Sequence, residues 1–565
     1  MGSRKCANAR SRARPHSTLS MIGSGRTATI APVRTPRSGI TAADEGAIRE
    51  LARARFGFGR LRPGQLRAAT AAVAGRDVLA VLPTGGGKSA IYELAGLLLG
   101  GPTVVVSPLI ALQDDQVAHL RDASLDAIVL NSHQSAREHA AALAASCGTE
   151  TFVFLSPEQL GNEQTQDALR RARPGLFAVD EAHLISQWGR DFRPDYMRLS
   201  AQADLLEAPV RMALTATAAP PVQREIVRRL ELRDPEVVIG DFDRPQLELS
   251  ARGVRSASDK QRELEVAAAE LRGAGIVYAA THADAEAARD TLAAAGNSVA
   301  LYHAGLTPRE RREAMAAFLD GSVRIVAATV AFGMGIDKPD VRWVVHVDPP
   351  PSLDAYYQEI GRAGRDSRAA HARLLYRQED FGASVHLAAR GISTEAVAGV
   401  AAQLVTGGEL ARTRGETAAL VRLVDLGAAV WEAGGAVRWT GALTVAHAMA
   451  ASEAETARED EVERSRLEMM RRYAEHTGCR RSFLLSYFGQ DYPGPCGNCD
   501  NDHTLAGGKT TARPFAVGER VTSERWGEGT VQRYDGDQLT VLFDDHGYRD
   551  LLLPLVVQRQ LLRRA

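Results

Sequence analysis

Residues 78–99 read VLAVLPTGGGKSAIYELAGLLL, and the middle of that stretch, Leu82-Pro83-Thr84-Gly85-Gly86-Gly87-Lys88-Ser89, decides the fold. An apolar run ends at Leu82, three glycines follow, and a helical pattern begins at Ser89. A strand that turns through glycines into a helix presents backbone N–H groups and a helix N-terminus to an anion. Thr84, Gly85, Gly86 and Gly87 would cradle phosphate oxygens, Lys88 would reach the terminal phosphates of ATP, and the Ser89 hydroxyl would ligate Mg²⁺. The general pattern has glycine where Leu82 stands, so this loop is a variant; the bland alternative is a glycine-rich turn.

The alternation of strand and helix extends outward from the loop. Apolar runs at 78–82, 103–107, 152–155, 176–179, 276–279, 324–328 and 342–347 are separated by helical segments such as 89–99, 109–121 and 284–295. This is the pattern of parallel α/β layers. Roughly 340 residues of it exceed what one domain usually holds, so two consecutive α/β domains are expected, 43–238 and 239–385.

Phosphoryl transfer needs acids beside the loop and positive charge on the developing oxyanions. Val179-Asp180-Glu181-Ala182-His183 follows the run LFAV, which puts both acids at a strand's end. Asp180 suits the Mg²⁺ side and Glu181 the polarisation of water; alone, such a pair would read as a helix N-cap. Gln358-Glu359-Ile360-Gly361-Arg362-Ala363-Gly364-Arg365-Asp366 supplies two arginines flanked by glycine, in the second domain. Closure of the cleft would bring Arg362 and Arg365 onto the nucleotide, so nucleotide state would be coupled to domain separation.

Composition removes other classes. Of 565 residues, 45% are hydrophobic and 24% charged, near the average of globular domains, which excludes collagen, long coiled coils and wholesale disorder. No run approaches the ~20 apolar residues that cross a bilayer, the basic N-terminus lacks an apolar segment of a secretory signal, and five cysteines cannot make a disulfide scaffold. A multidomain protein of the cytoplasm or nucleoid, without a membrane partner, is expected. Residues 1–42 read as a disordered basic tail: eight basic side chains precede Asp44 and no acid does. The tail is a dispensable extension, with Met21 as an alternative start, or an arm that touches nucleic acid. The rest carries 60 basic and 69 acidic residues, so nucleic-acid binding must come from local clustering. Lysine is rare, at Lys5, Lys88, Lys260, Lys338 and Lys509 only, which marks each for chemistry that arginine cannot do.

Together these residues resemble the RecQ family of superfamily 2 helicases, over roughly 50–380 and 470–502. Phe56-Gly57-Phe58 with Arg62-Pro63-Gly64-Gln65 is similar to the family's motif 0, which implies that Gln65 reads the adenine edge. Ser107-Pro108-Leu109 through Gln116 resembles a single-strand contact, and Leu214-Thr215-Ala216-Thr217-Ala218 the segment linking hydrolysis to movement. Tyr302-His303-Ala304-Gly305-Leu306 and Thr329 through Asp337 resemble the strand-tracking segments. By this resemblance Arg365 is the better arginine finger, and the fold is two tandem RecA-like domains. Ile185 through Pro194 resembles the family's aromatic-rich loop, with Leu184 in place of its cysteine and Arg190 in place of its histidine. Trp188 and Phe192 offer faces on which bases stack, worth ~1–3 kcal/mol per base, with Arg193 beside them. The bland alternative is a surface loop anchored by its tryptophan.

Cys479, Cys496 and Cys499 stand in the family's zinc-site order, and its fourth cysteine falls at Asp502. Zinc accepts carboxylate or imidazole, so Asp502 or His503 would complete the site, with His503 preferred; a decayed site held by packing is the alternative. An α-rich zinc-binding domain is thus expected at 451–512. Before it, 386–450 is an insertion in which 408–440 reads as two helices and a hairpin turning at Gly434-Gly435, winged-helix-like. After it, 513–565 resembles the small Tudor/SH3-like β-barrel of UvrD-type helicases, as a docking module for protein or nucleic acid or as a structural cap. The resemblance implies an ATP-dependent helicase moving 3′→5′ on DNA in repair or recombination. The alternatives are an ATP-gated DNA-binding or remodelling translocase with little strand separation, and an RNA helicase, which the aromatic-rich loop disfavours.

Overall fold

The computed structural model of the protein describes residues 42–108, 110–130, 134, 142, 151–185, 194–333, 338–382, 392–407, 413–432, 436–492, 494–502 and 513–565. The expectations placed on residues 1–41, on Trp188, Phe192 and Arg193, and on His503 lie outside these residues.

Seven strands form the first sheet: β1 (Val78–Val81), β2 (Thr103–Val106), β3 (Asp126–Leu130), β4 (Thr151–Leu155), β5 (Leu176–Val179), β6 (Val210–Thr215) and β7 (Glu236–Ile239). They pair in parallel, in the order β3-β4-β2-β5-β6-β1-β7. Helices cover both faces, so the central strands are apolar throughout rather than alternating. Val78 and Ala80 of β1 face one core, with Val105, Phe154 and Met212; Leu79 and Val81 face the other, with Val104, Val106 and Phe177. This order brings the carboxyl ends of β1, β6 and β5 side by side, where open α/β sheets place their ligands.

The second sheet holds β8 (Leu247–Gly253), β9 (Ala274–Tyr278), β10 (Val299–Tyr302), β11 (Ile325–Ala328), β12 (Val341–His346) and β13 (Ala370–Tyr376), parallel, in the order β10-β11-β9-β12-β13-β8. Trp343 is fully buried against Gly275, where a Cβ would enter the indole. Both α/β layers are thus present, each a lobe built on one sheet.

In the C-terminal half the structure corrects one expectation. Of the two helices read within 408–440, one, Arg414–Asp425, lies there; its partner is Thr394–Thr406, upstream. They pack with the antiparallel hairpin β14 (Ala429–Trp431) and β15 (Val437–Trp439) around Val397, Val400, Leu420 and Leu423. The 31-residue helix Val445–Glu475 and the short helix Arg480–Tyr487 follow. The chain ends in an antiparallel sheet of β16 (Arg520–Ser523), β17 (Gly527–Asp535), β18 (Gln538–Phe543), β19 (Gly547–Leu552) and β20 (Arg563–Arg564), ordered β19-β18-β17-β16-β20. Among the described residues β19 and β20 do not pair, so the antiparallel sheet is present without the closure of a barrel. One apolar core continues from the lobes into the long helix, the short helix and one face of the C-terminal sheet through Met470, Tyr473, Phe483, Tyr487, Leu542 and Tyr548, while the inserted helix pair and hairpin keep a core of their own. No helix among the described residues is long and apolar enough to cross a membrane.

Candidate active site and metal centre

The phosphate-loop stretch leaves β1 and enters the helix Ser89–Leu99. Gly85 and Gly87 take positive φ, +73° and +70°, which a side chain rarely adopts, and a Cβ on Gly86 would fall 2.6 Å from the Pro83 carbonyl. Two side chains at the start of the helix Pro63–Val73, its N-cap Arg62 and Gln65 in its first turn, brace the loop: Arg62 Nη1 donates to the Gly85 carbonyl at 2.9 Å, and Gln65 Nε2 to the Gly87 carbonyl at 2.9 Å. Gln65 Oε1 accepts from the Arg62 amide at 2.8 Å, so the glutamine is fixed at both ends of its amide.

Asp180 and Glu181 follow β5 and turn into the short helix Ala182–Ile185. Burial, with Glu181 next to it, pushes the Asp180 carboxyl up to about 6, and Lys88 opposes the rise. Glu181 goes the other way: although burial raises it, the His183 hydrogen bond and the charges of Lys88, His183 and Arg362 bring it down to about 2. His183 was not singled out from sequence. Its Nδ1 lies 3.3 Å from Glu181 Oε2 and 2.9 Å from Thr215 Oγ1 at the end of β6. Thr215 Oγ1 donates to the Thr217 carbonyl at 3.0 Å, and Thr217 Oγ1 accepts from Gln358 Nε2 of the second lobe at 2.7 Å. A run of polar contacts, hydrogen-bonded from His183 onward, therefore leads from the acids to the other lobe.

Arg362 and Arg365 follow the helix Leu353–Ile360, on a turn that Arg244 and Gln246 hold by donating to the carbonyls of Gly361, Ala363 and Gly364. The turn lies against the phosphate loop: a Cβ on Gly361 would meet Thr84 Cβ at 3.4 Å, and one on Gly85 would meet Arg365 Cγ at 3.9 Å. Arg362 is buried beside Gly333, and its Nε makes no hydrogen bond. Loop, acids and arginines, drawn from three separate stretches of sequence, thus share one cleft. Such a cleft can grip a polyphosphate, hold a divalent cation between Ser89 and Asp180, and present a carboxylate to water.

Glu93 belongs to no motif that marks it in the sequence. One helical turn beyond Ser89 and fully buried, its carboxyl is pushed up to about 7 by burial, against a lowering by the Ser89 hydroxyl. An acidic residue within an apolar helix of this kind was the available signal.

The cysteines converge at a second centre. Cys479, at the start of the helix Arg480–Tyr487, meets Cys496, Cys499 and Asp502, with ligand atoms all within 4.8 Å of one another. Asp502 Oδ2 accepts from the Cys496 thiol at 3.1 Å and from the Cys499 amide at 3.2 Å, while Oδ1 is buried without a hydrogen-bond partner. Burial pushes the Cys496 thiol up to about 11, whereas the hydrogen bond with Cys479 brings Cys499 down to about 6. Three thiols and an orphaned carboxylate oxygen at this spacing fit a tetrahedral zinc ion, with Asp502 standing where a fourth thiolate would be. The loop carrying these ligands extends the second sheet: Leu249 of edge strand β8 accepts from the Asp500 amide and donates to the Asn498 carbonyl.

Comparison with known proteins agrees with this geometry. The DEAD/DEAH box helicase model matches residues 62–226, the helicase conserved C-terminal domain 260–367, and the RecQ zinc-binding model 443–503. The chain is 32% identical over 446 residues to the ATP-dependent DNA helicase RecQ of Pasteurella multocida (strain Pm70), covering 79% of this chain and 60% of that one. It is 38% identical over 330 residues to the ATP-dependent DNA helicase RecQ of Bacillus subtilis (strain 168), covering 58% of this chain and 55% of that protein. The chain therefore spans about three fifths of the length of these relatives. Among solved structures, the DUF1998 helicase MrfA bound to DNA superposes with a TM-score of 0.50 at 17% identity, over 73% of this chain and 61% of that one, a likeness of fold. Both lobes, the zinc segment that follows them, and the sequence relatives agree: the chain belongs to the RecQ family.

Proposed function

We propose that this protein is an ATP-dependent DNA helicase that moves 3′→5′ along one strand and separates the duplex ahead of it. The observation that supports the reading is the 2.7 Å bond from Gln358 to Thr217, on the helix that leads to Arg362 and Arg365, with Gly361 so near the phosphate loop that an added Cβ would lie 3.4 Å from Thr84 Cβ. In this reading Gln65 selects adenine, and Thr84, the three glycines and Lys88 hold the phosphates. Mg²⁺ between Ser89 and Asp180 would neutralise charge on them. Glu181, ionised at neutral pH and fixed by His183, accepts a hydrogen bond from the attacking water. Arg365 stabilises the charge that develops on the transferred phosphoryl group, and Arg362 stands beside Glu181. The run from Glu181 through His183, Thr215 and Thr217 to Gln358 then couples hydrolysis to lobe separation. Trp188 and Phe192 would stack on bases, with Arg193 on the backbone, and make hydrolysis depend on DNA. The bacterial relatives support a place in the cytoplasm or nucleoid, and the C-terminal sheet is a candidate seat for a protein partner.

The remodelling alternative is favoured by one observation: Trp431 of the hairpin that could part a duplex lies under Arg198 of the first lobe, 4.5 Å from its guanidinium. Strand separation on a duplex with a 3′ tail, scored against the same duplex with a 5′ tail, tests the proposal. Unwinding confined to the 3′ tail is expected. ATP hydrolysis with no unwinding from either tail would select the remodeller, and preference for RNA strands an RNA helicase.

A further inference from the structure

The helix Pro220–Arg229 starts just after Thr215–Thr217 and is gripped by two modules that both ride on the long helix Val445–Glu475. From the C-terminal sheet, Asp544 pairs with Arg224, and Thr530 Oγ1 lies 3.4 Å from the same guanidinium. From the inserted unit, Asp425 accepts two hydrogen bonds from Arg229, of 2.9 and 3.2 Å.

Each module is bound more firmly to the long helix. Arg422 of the inserted unit is fully buried, and its Nη2 donates to both carboxylate oxygens of Glu459, at 2.7 and 2.6 Å. Asp550 and Arg549 of the sheet pair with Arg472 and Glu461. The long helix in turn reaches the second lobe, where Arg466 Nη2 lies 3.8 Å from Asp354, the second residue of the helix that leads to Arg362 and Arg365. If the lobes part, the modules stay with the long helix and the grips on Pro220–Arg229 yield.

Both grips have stand-in partners. Asp544 also pairs with Arg520 inside the sheet, at 3.0 and 2.8 Å, and Arg229 also pairs with Glu225 inside its own helix, at 2.8 Å. When the links separate, Asp544 keeps Arg520 and Arg229, only 9% exposed, keeps Glu225. Arg224 and Asp425 are 40% and 27% exposed, so neither charge is shut away from water. Breaking a buried pair is costly because it strands a charge; these two links strand none, so they can open and close.

We propose that Arg224 and Arg229 form a reversible two-point latch, through which the C-terminal sheet and the inserted unit hold the first lobe against the second and set how near Arg362 and Arg365 stand to the phosphate loop. Both are positioning residues. The purpose of the latch rests on the ATP-driven reading above, but its test does not.

Hydrogen–deuterium exchange of the full, nucleotide-free chain makes that test. Arg224→Gln releases one grip, Asp425→Asn the other, and the double variant both. Peptides spanning 84–89 and 358–366 should exchange at least threefold faster in the double variant and less so in each single variant. β18 and the Arg414–Asp425 helix should remain as protected as in the unaltered chain, and Arg224→Lys should restore wild-type exchange. Unchanged exchange at the lobe interface in the double variant overturns the latch. Should one substitution unfold its module, the other single variant decides by the same criterion. Failure of the unaltered chain to hydrolyse ATP would overturn the proposed function alone, so the two readings fail separately.

Discussion

Gln358 donates a 2.7 Å hydrogen bond to Thr217 across the cleft, joining the helix that leads to Arg362 and Arg365 to the segment behind Asp180 and Glu181. Thr217 is also reached from His183 through Thr215, so in the proposed function this side-chain pair is the route from the acids into the second lobe. Thr217→Val or Gln358→Ala should lower kcat/KM for DNA-dependent ATP hydrolysis about tenfold, the loss of one hydrogen bond of ~1.4 kcal/mol. The melting temperature should stay within a few degrees. An unchanged rate would take the bond out of the coupling route.

Two substitutions separate grip from charge stabilisation. Lys88→Ala should abolish hydrolysis and unwinding in a chain whose circular dichroism is unaltered. Arg365→Ala should lower kcat about 10³-fold while nucleotide is still bound, the scale of an arginine finger. Equal loss of nucleotide affinity and of rate in Arg365→Ala would make it a binding residue instead.

Trp188→Ala should leave the DNA-independent ATPase rate intact and remove its stimulation by single-stranded DNA. Titration of the rate with an oligonucleotide reads both quantities at once. Stimulation that survives the substitution would assign the coupling to another segment.

At the zinc centre, Asp502→Cys should slow loss of the ion to a chelator about tenfold or more, since thiolate is the softer ligand. Cys499→Ser should leave less than one zinc per chain by elemental analysis and lower the melting temperature, because Asn498 and Asp500 beside it pair with β8. Full zinc occupancy in Asp502→Ala would show that Asp502 is not a ligand.

Lys260, one of the few lysines, sits between two carboxylates, 2.8 Å from Asp348 and 2.7 Å from Asp380. Burial raises the Asp380 carboxyl, but hydrogen bonds from Lys260 and Arg377 outweigh it and hold it below its ordinary value. The stability this contributes is present above the unfolded pKa of about 4 and is lost as pH falls through the lower folded value. Asp380→Asn should therefore cost roughly 2–3 kcal/mol at pH 7. The deficit should shrink below pH 4, as read by denaturant unfolding at both pH values. A deficit independent of pH would place the effect in packing.

The legible parts of this protein are those in which chemistry and backbone geometry share one short stretch. Lys88 and Ser89 follow their glycines, and Asp180 and Glu181 follow their strand, so spacing alone names them. His183 with Thr215, and Gln358 with Thr217, pair across 32 and 141 residues, and no local pattern marks either pair. Strand β8, LELSARG, was passed over because half of it is polar or exposed where it meets the zinc loop. The helix Thr394–Thr406 was missed because its run of alanine, valine and glycine has a weak polar face. Nothing local marks Arg422, and only the fold shows it buried against Glu459.

Gly547 opens β19 with φ +67°, and a Cβ there would come within 2.8 Å of Ser465 Cβ on the long helix. The bare α-carbon is thus demanded twice, by its own backbone and by the neighbour it lies against. Where a glycine at this turn faces a small residue on the corresponding helix, the pair becomes a written mark of the docked arrangement. A chain that keeps the sheet but carries a larger residue at either place should wear that sheet loosely, as a tethered appendage. Lineages could then be sorted by two letters of sequence, even where the rest of their tails no longer align.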